Sequence, residues 1–513
     1  MQNHEPPGGL PDRVHCLIDP WLASRPDAPA LEEAGRRLSY RELADAVGGT
    51  AERLAAAGLR AGDRLLVVCE NCIAAVVLAL AASRLDAWAS LVNARLSPRE
   101  VEEFAAHSGA RRVAFTSAVS AEAAGHADRM DAGHLDWPGT GPFRLGPLNA
   151  DALPEPVFPD GARQVAALVY TSGTSGAPKG VMLTHRNLCF IGRNNRVNRR
   201  MTPDDKVYGV LPISHVYGLA SITVSTLHSG ACLVLEPRFD PARVARALAE
   251  DGITILHGVP AMYAKLLEWG RRPGNRLSAP RLRVAQAGGA PLDQNFKDDF
   301  EAVFGLPLHN GYGMTESSPS IAQTRLDAPR RDCSVGPPIP GLEIRIAKDG
   351  DATAPGEVGE LHVRGPNVMA GYYRAPELTR EAVDGDGWLN TGDLARQAPD
   401  GALFIAGRSK ELIIRSGFNV YPVEVEQVIN GHPQVVHSAV VGRSVPGNEE
   451  VVAYVEPVPG SRLTAGELSA WLEAGLSPYK RPSRIVVLEH LPVTATGKIL
   501  KNDLRRMAAR GEG

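Results

Sequence analysis

Short apolar runs alternate with amphipathic stretches between residues 64 and 305 of the chain. The apolar runs are rich in valine, isoleucine, leucine and alanine, which predicts buried strands; they lie at residues 64–68, 112–115, 165–169, 231–235, 253–256 and 282–285. The stretches between them have helical composition, and two of them begin with a proline behind a capping residue; they lie at residues 73–85, 98–107, 241–249, 261–269 and 291–304. This alternation predicts an α/β fold of parallel sheets covered by helices on both faces.

The pattern changes after residue 330. Glycine and proline cluster at residues 336–341 and 356–359, with a strand predicted at 360–363, which indicates a smaller β-rich subdomain. From residue 409 onward, predicted strands (438–441 and 451–455) mix with a helix (465–474), which is typical of a small α+β domain. We therefore divide the chain into an N-terminal domain over 1–407 and a C-terminal domain over 408–513.

Composition narrows the class of protein and its partners. The net charge is −3, so no basic field is present to hold nucleic acid or an anionic membrane. The most apolar stretch, residues 72–82, is too short to span a bilayer, and residues 1–13 do not resemble a signal peptide. Six scattered cysteines, Cys69 and Cys72 among them, fit a reducing cytoplasm better than a disulfide framework. The oligomeric state, monomer or homodimer, stays open.

A glycine- and hydroxyl-rich loop follows the predicted strand at 165–169. It reads Tyr-Thr-Ser-Gly-Thr-Ser-Gly-Ala-Pro-Lys-Gly over residues 170–180. Hydroxyls, amides beside glycine and one lysine are the donors that a triphosphate needs. The spacing differs from that of a Walker A loop, and Gly180 stands where that motif has serine or threonine. The loop therefore predicts a nucleotide-phosphate site of another kind.

This loop resembles the phosphate-binding signature of the adenylate-forming (ANL) superfamily. Further segments resemble the family's other motifs in the family's order, at residues 288–291, 311–316, 388–393, 407–411, 416–424 and 492–498. The chain is thereby identified as an AMP-forming acyl-CoA synthetase of the acyl/aryl-CoA ligase branch, which implies ATP, Mg²⁺ and coenzyme A. The nucleotide-binding residues implied by the resemblance are Thr171, Ser172, Gly173, Thr174, Ser175, Gly176, Lys179, Gly289, Ala290, Pro291, Gly311, Tyr312, Gly313, Met314, Asp393 and Arg408.

The resemblance also implies catalytic roles. Glu316 would bind Mg²⁺, which offsets the charge of the phosphates. Thr315 would donate to the α-phosphate, and Lys498 would contact the oxygens of both the acid and the phosphate, where charge develops. Tyr312 would stack on adenine, and Asp393 would accept both ribose hydroxyls. Together these groups would activate a carboxylic acid as its acyl-adenylate.

The small C-terminal domain of this family uses two orientations, one for each half-reaction. Lys410 occupies the family's hinge position, and a hinge need not be glycine. The residues expected at the channel for the pantetheine arm and phosphates of coenzyme A are Ser416, Gly417, Phe418, Tyr479 and Lys480. The resemblance thus implies that the second orientation removes Lys498 and brings in the segment around Gly417.

Residues 211–218 resemble the acyl-pocket motif of acyl- and aryl-CoA ligases. The expected lining is small and mostly apolar, consisting of His215, Ala220, Val259, Ala287 and Gly288. Gly311 stands where malonyl-CoA synthetases carry an arginine, so a second carboxylate would lack that cation. We expect a medium- or long-chain fatty acid. The alternatives are a benzoate- or cinnamate-like aryl acid, or a stand-alone adenylation domain that loads the thiol of a carrier protein.

Overall fold

Apolar strands and capped helices follow one another in a computed structural model, which describes residues 9–171, 179–348, 350–416, 418–445, 448–493 and 499–511. The strands are β1 (Pro29–Glu33), β2 (Arg36–Ser39), β3 (Arg64–Cys69), β4 (Trp88–Asn93), β5 (Arg112–Phe115), β6 (Gly133–Trp137), β7 (Gly141–Leu145), β8 (Val165–Thr171), β9 (Lys179–Thr184), β10 (Lys206–Gly209), β11 (Cys232–Leu235), β12 (Ile255–Gly258), β13 (Val284–Ala287), β14 (Leu308–Gly313), β15 (Ser320–Gln323), β16 (Glu343–Lys348), β17 (Asp351–Ala352), β18 (Gly359–Arg364), β19 (Gly371–Tyr372), β20 (Leu389–Gln397), β21 (Leu403–Arg408), β22 (Ile413–Arg415), β23 (Phe418–Val420), β24 (Val435–Val445), β25 (Asn448–Pro457) and β26 (Arg484–Val487).

The α-helices connect these strands. They are α1 (Asp19–Ser24), α2 (Tyr40–Ala56), α3 (Ile73–Arg84), α4 (Pro98–Ser108), α5 (Ala121–Arg129), α6 (His185–Asn198), α7 (Ser225–His228), α8 (Pro241–Glu250), α9 (Pro260–Gly270), α10 (Gln294–Phe304), α11 (Pro376–Ala382), α12 (Pro422–Asn430), α13 (Ala465–Gly475) and α14 (Lys501–Arg510). A π-helix (Tyr217–Val224) runs directly into α7. Ser97 and Glu100 form a capping box at the start of α4, where the sequence predicts a cap.

Two large mixed sheets carry most of the N-terminal part of the described chain. In the first, the order is β15-β14-β13-β12-β10-β11-β1-β2, and the pairs from β14 to β1 are parallel. In the second, the order is β19-β9-β8-β4-β3-β5-β7-β6, with a parallel centre. This architecture confirms the predicted α/β class, because the parallel strands are buried on both faces and connected by helices.

The two faces of the first sheet belong to different hydrophobic cores. Along β12, Ile255 packs into the larger core and Leu256 into a second one. Strand β13 alternates in the same way, with Val284 in the larger core and Ala285 in the second. Because β12, β13 and β14 are parallel, the residues that follow them meet at one edge of the sheet, where ligands of parallel sheets bind.

A third, antiparallel sheet has the order β17-β16-β18-β20-β21, in the β-rich region predicted after residue 330. Beyond it, β24, β25 and β26 form a small sheet, and β22 pairs with β23. Helices α12 and α13 pack on one face of that small sheet and α14 on the other, around two cores made only of residues after Glu411. No helix in the described part of the chain is long and apolar enough to cross a membrane.

Several predicted boundaries shift by two residues or more, and two of these shifts show the cause. The helix predicted from residue 291 begins at Gln294, because the Asp293 side chain caps it by accepting from the Phe296 amide. The strand predicted at 253–256 runs instead over Ile255–Gly258, paired with β13. Both corrections depend on hydrogen bonds that the apolar pattern does not encode.

Candidate active site

The predicted phosphate loop joins two antiparallel strands. Thr171 at the end of β8 lies opposite Lys179 at the start of β9. The Lys179 ammonium lies 5.7 Å from the centre of the Tyr372 ring, on the neighbouring β19. The loop between the strands is outside the described residues, and so are the predictions for Ser172, Gly173, Thr174, Ser175 and Gly176. The structure thus gives the base of the hairpin and the position of its lysine.

Beside this hairpin lies the segment that follows β14. Thr315 and Glu316 are buried in a short 3-10 turn. The Tyr372 hydroxyl donates to Glu316 Oε1 at 2.7 Å. Burial, together with the neighbouring carboxylate, raises the pKa of Tyr372, so the hydroxyl keeps its proton and remains a donor. Tyr372 therefore donates a hydrogen bond to the Glu316 carboxylate, and its ring faces the Lys179 ammonium.

This arrangement fits a magnesium ion held mainly by phosphate oxygens. No group of three His, Cys, Asp or Glu side chains that could form a metal site occurs in the described part of the chain. Glu316 nonetheless offers a buried hard oxygen ligand next to the phosphate hairpin. Mg²⁺ is commonly bound by one or two carboxylates together with substrate phosphates and water.

The predicted ribose site is a buried carboxylate between two donors. Asp393 and Arg408 are paired residues of β20 and β21, and their Oδ1 and Nε atoms are 3.2 Å apart. The Tyr312 hydroxyl donates to the other oxygen of Asp393. These contacts hold the carboxylate of Asp393 in a fixed orientation.

Glycine is required at two of the predicted nucleotide positions. A Cβ atom on Gly313 would lie 1.7 Å from the Pro319 carbonyl oxygen, so no side chain fits there. Gly289 has a φ of +77°, a conformation that favours glycine. Gly289 and the next two predicted residues, Ala290 and Pro291, are exposed after β13, and Met314 is half-buried. The chain thus leaves an open surface at the predicted adenine position.

The predicted hinge lies in a short turn between the third sheet and the small C-terminal sheet. Lys410 is exposed in the 3-10 turn Ser409–Glu411. The next residue, Glu411, accepts from the buried ammonium of Lys501 at 3.1 Å, and the same ammonium lies 2.7 Å from Glu426. Lys501 begins α14, just after the predicted catalytic loop, but Lys498 itself lies outside the described residues.

The predicted thiol channel is partly visible. The exposed ring of Phe418 stacks on Tyr479, with ring centres 4.7 Å apart. Lys480 forms an ion pair with Glu424. The Ser416 amide donates to Asn448 Oδ1 at 2.6 Å, whereas Gly417 is outside the described residues. The structure therefore brings Phe418 and Tyr479 together.

Comparison with known proteins decides the family. A model described as AMP-binding enzyme matches residues 18–373, and one described as AMP-binding enzyme C-terminal domain matches residues 424–498. The chain belongs to the AMP-binding enzyme family. This confirms the predicted resemblance to AMP-forming acid–CoA ligases.

Relatives of this AMP-binding enzyme align over nearly its whole length. A feruloyl-CoA synthase of an Amycolatopsis species is 37% identical over 488 residues, covering 94% of this chain and 96% of that protein. A sulfoacetate–CoA ligase of Cupriavidus necator is 35% identical over 504 residues, covering 95% and 96%. The ATP-bound crystal structure of MatB from Rhodopseudomonas palustris covers 98% of this chain and 100% of its own, with 31% identity and a TM-score of 0.86; apo MatB gives 0.77.

In this AMP-binding enzyme, the predicted acyl-pocket residues are buried to different degrees. Ala220 is buried in the π-helix and Gly288 is buried beyond β13, while Val259 is half-buried. His215 is exposed, and its Nδ1 accepts from the Tyr217 amide at 3.2 Å. Ala287 packs into the second core, on the face of the sheet opposite to Ala220. The structure thus brings Ala220 and Gly288 to the same side and points the Ala287 methyl group away.

Sequence reasoning missed a buried polar group behind this pocket. Tyr217, within the pocket motif, has its hydroxyl 3.3 Å from the point where a Cβ of Gly288 would lie. Gln286 has its Nε2 2.7 Å from the corresponding point of Gly311. A polar residue inside each apolar strand, His257 in β12 and Gln286 in β13, is the signal that could have revealed this group.

Proposed function

We propose that this enzyme joins an aromatic carboxylic acid with a polar ring substituent to coenzyme A, by way of its acyl-adenylate. The observation that carries the choice of acid is the Tyr217 hydroxyl, which is buried against Gly288 and has no hydrogen-bond partner among the residues that the structure describes. An alkyl chain would leave that hydroxyl unsatisfied, whereas a polar ring substituent can bond to it. A medium- or long-chain fatty acid is the competing proposal.

Relatives support this choice. The first relative is named for ferulate, an aromatic acid with a phenol, and the second for sulfoacetate, which carries a sulfonate away from its carboxylate. Both acids have a polar group at the end remote from the reacting carboxyl. Neither name extends to this chain by itself, but each agrees with a polar end of the acyl pocket.

In the adenylation step, the acid must approach the α-phosphate of ATP although both are anions. We assign Lys179 and the loop before it to the β- and γ-phosphates, and Thr315 to the α-phosphate. Glu316 would hold Mg²⁺, which would offset the negative charge of the phosphates. Lys498 would stabilise the charge that develops as the carboxylate attacks and diphosphate leaves. Asp393 would orient the ribose.

In the second step, the thiol of coenzyme A attacks the acyl carbon and AMP leaves. We assign residues 408–513 to a mobile domain that turns about Lys410 between the two steps. Two cores of its own and the short turn Ser409–Glu411 support this assignment. The stacked rings of Phe418 and Tyr479 would line the channel for the pantetheine arm. We place the enzyme in the cytoplasm, since all six cysteines are free.

The test is a panel of acids assayed for diphosphate release with and without coenzyme A. It contains hexanoate, decanoate, palmitate, benzoate, cinnamate and 4-hydroxycinnamate. The proposal expects the highest kcat/KM with 4-hydroxycinnamate, and it expects Tyr217→Phe to lower the preference for it over cinnamate by about 10-fold. A maximum at decanoate or palmitate, unchanged by Tyr217→Phe, would favour the fatty acid instead.

A further inference from the structure

Behind the acyl pocket, the guanidinium of Arg199 is buried without a counter-ion. The residue follows α6 and is 3% exposed. Its Nε donates to Gln286 Oε1 at 2.8 Å, and one terminal nitrogen donates to the Ser221 carbonyl at 3.3 Å. The same nitrogen lies 3.4 Å from His257 Nε2. Every one of these partners is neutral, and no carboxylate of the described residues forms an ion pair with Arg199.

The charge is not cancelled by its other neighbours. Burial lowers the pKa of Arg199 to about 10, which still leaves it protonated at neutral pH. Burial raises the pKa of Tyr217 to about 12 and holds the pKa of Tyr263 well above its usual range, so both phenols stay neutral. A buried cation without an anion is unfavourable unless a partner arrives. The protein tolerates it at a position near Tyr217, whose ring lies against Gly288.

Two unused hydrogen-bond donors lie beside the cation. The Tyr217 hydroxyl and His257 Nδ1 are buried and have no hydrogen-bond partner among the described residues. Burial holds the pKa of His257 well below its usual range, so its ring is neutral. Since Nε2 faces the Arg199 donor, the proton lies on Nδ1. The two rings form a T-shaped contact, with centres 5.9 Å apart, so both donors and the cation belong to one cluster.

Two glycines at the predicted pocket pack directly against this cluster. A Cβ on Gly288 would lie 3.1 Å from the Tyr217 ring, and one on Gly311 would meet the Gln286 amide that holds Arg199. A larger residue at either position would collide with these side chains. The two glycines therefore bring the backbone at the predicted pocket close to the cluster.

We propose that Arg199, Tyr217 and His257 form an anion-binding floor of the acyl pocket, which selects an acid carrying a second carboxylate at its far end. A carboxylate accepts hydrogen bonds only, which matches two neutral donors and one guanidinium. This inference rests on the proposed function for the aromatic part of the acid. The same three side chains would recognise a second carboxylate on an aliphatic acid.

The experiment compares matched acids in the wild-type enzyme and Arg199→Met. The aromatic pair is cinnamate and 4-carboxycinnamate, and the aliphatic pair is hexanoate and adipate. We expect the variant to lose about 100-fold in kcat/KM for the dicarboxylates and to stay within about 3-fold for the monocarboxylates. Without ATP, 4-carboxycinnamate should raise the melting temperature of the wild type but not of the variant. Arg200→Met is the control, because Arg200 is the adjacent residue and is exposed.

A structural role for Arg199 predicts a different result. Its loss would then lower the melting temperature and reduce activity on all four acids in parallel, and this outcome overturns the proposal. Replacing an unpaired buried cation by methionine should instead leave the melting temperature unchanged or higher. If only the aliphatic pair reacts, the aromatic assignment fails. The ratio of kcat/KM for adipate to kcat/KM for hexanoate then decides alone whether Arg199 binds the second carboxylate. Equal ratios in wild type and variant overturn it.

Discussion

Replacing Lys501 by methionine removes a buried positive charge that joins the turn Ser409–Glu411, the predicted hinge, to helix α12. The ammonium lies 3.1 Å from Glu411 in that turn and 2.7 Å from Glu426 on α12. The three side chains are only 11–22% exposed, so water replaces the lost charge poorly. The variant leaves two carboxylates close together without their shared cation. We therefore expect local destabilisation of the turn, α12 and the start of α14.

The magnitude follows from burial. Removing one partner of a fully buried ion pair costs roughly 3–5 kcal/mol. Because these side chains keep some contact with solvent, we expect about 2 kcal/mol, and each 1.4 kcal/mol is a factor of ten. Amide hydrogens in α12 and α14 that exchange by local opening should therefore exchange about 30-fold faster in Lys501→Met.

The effect should also depend on pH. Burial alone would raise the pKa of Glu411, but the Lys501 ammonium, the hydrogen bond from it and Arg505 outweigh burial and lower that pKa. A lowered carboxyl pKa stabilises the folded state above the unfolded-state value of about 4.3, and this contribution is lost as the pH falls through the folded-state pKa. The difference between wild type and Lys501→Met should thus shrink on acidification below about pH 4.

Hydrogen exchange with mass spectrometry measures these rates on peptides covering residues 420–430 and 501–510. Arg506→Met is the matched control, since Arg506 lies on α14 but is 69% exposed and pairs with the nearby Asp503. We expect the control to exchange at the wild-type rate. If Lys501→Met also did so, or if it accelerated exchange equally throughout the N-terminal domain, the ion-pair reasoning would be refuted.

Three further predictions concern the two half-reactions. Lys498→Ala should lower acyl-adenylate formation by about 100-fold or more but largely spare thioester formation from supplied acyl-AMP; equal loss in both assays would contradict separate orientations. Glu316→Gln should raise the Mg²⁺ concentration needed for half-maximal diphosphate release while leaving the circular dichroism spectrum unchanged; an unaltered Mg²⁺ titration would exclude the metal role. Lys410→Pro fixes φ near −65° and should give one burst of diphosphate without acyl-CoA; acyl-CoA formation at the parent rate by the folded variant would show that the hinge lies elsewhere.

The sequence was sufficient for the fold wherever structure depends on local pattern. The strand at β3 and the capped helix α4 depend on an apolar run and on a serine before proline, and both occur where predicted. The start of α10 was misplaced by three residues because Pro291 and Asp293 both resemble helix starts. Only the hydrogen bond from Phe296 distinguishes them.

The acyl end of the site was predicted less completely, for a geometric reason. Neighbouring residues of a strand point to opposite faces, so Ala287 lies in the second core whereas the adjacent Gln286 lies beside Arg199. Arg199 itself lies in an arginine-rich stretch that, as sequence, looks like an exposed helix end. Its burial depends on the π-helix and two strands that are distant along the chain.

The predicted nucleotide residues and the polar cluster share one structural support. Gln286 on β13 contacts Arg199 and lies against Gly311, the residue before Tyr312 on β14. Tyr312 in turn donates to Asp393 at the predicted ribose site. Gln286 therefore stands between the polar cluster and the strand that carries the predicted nucleotide residues Gly311 and Tyr312. A side chain held in this way by its neighbours keeps a fixed orientation, which a binding site requires.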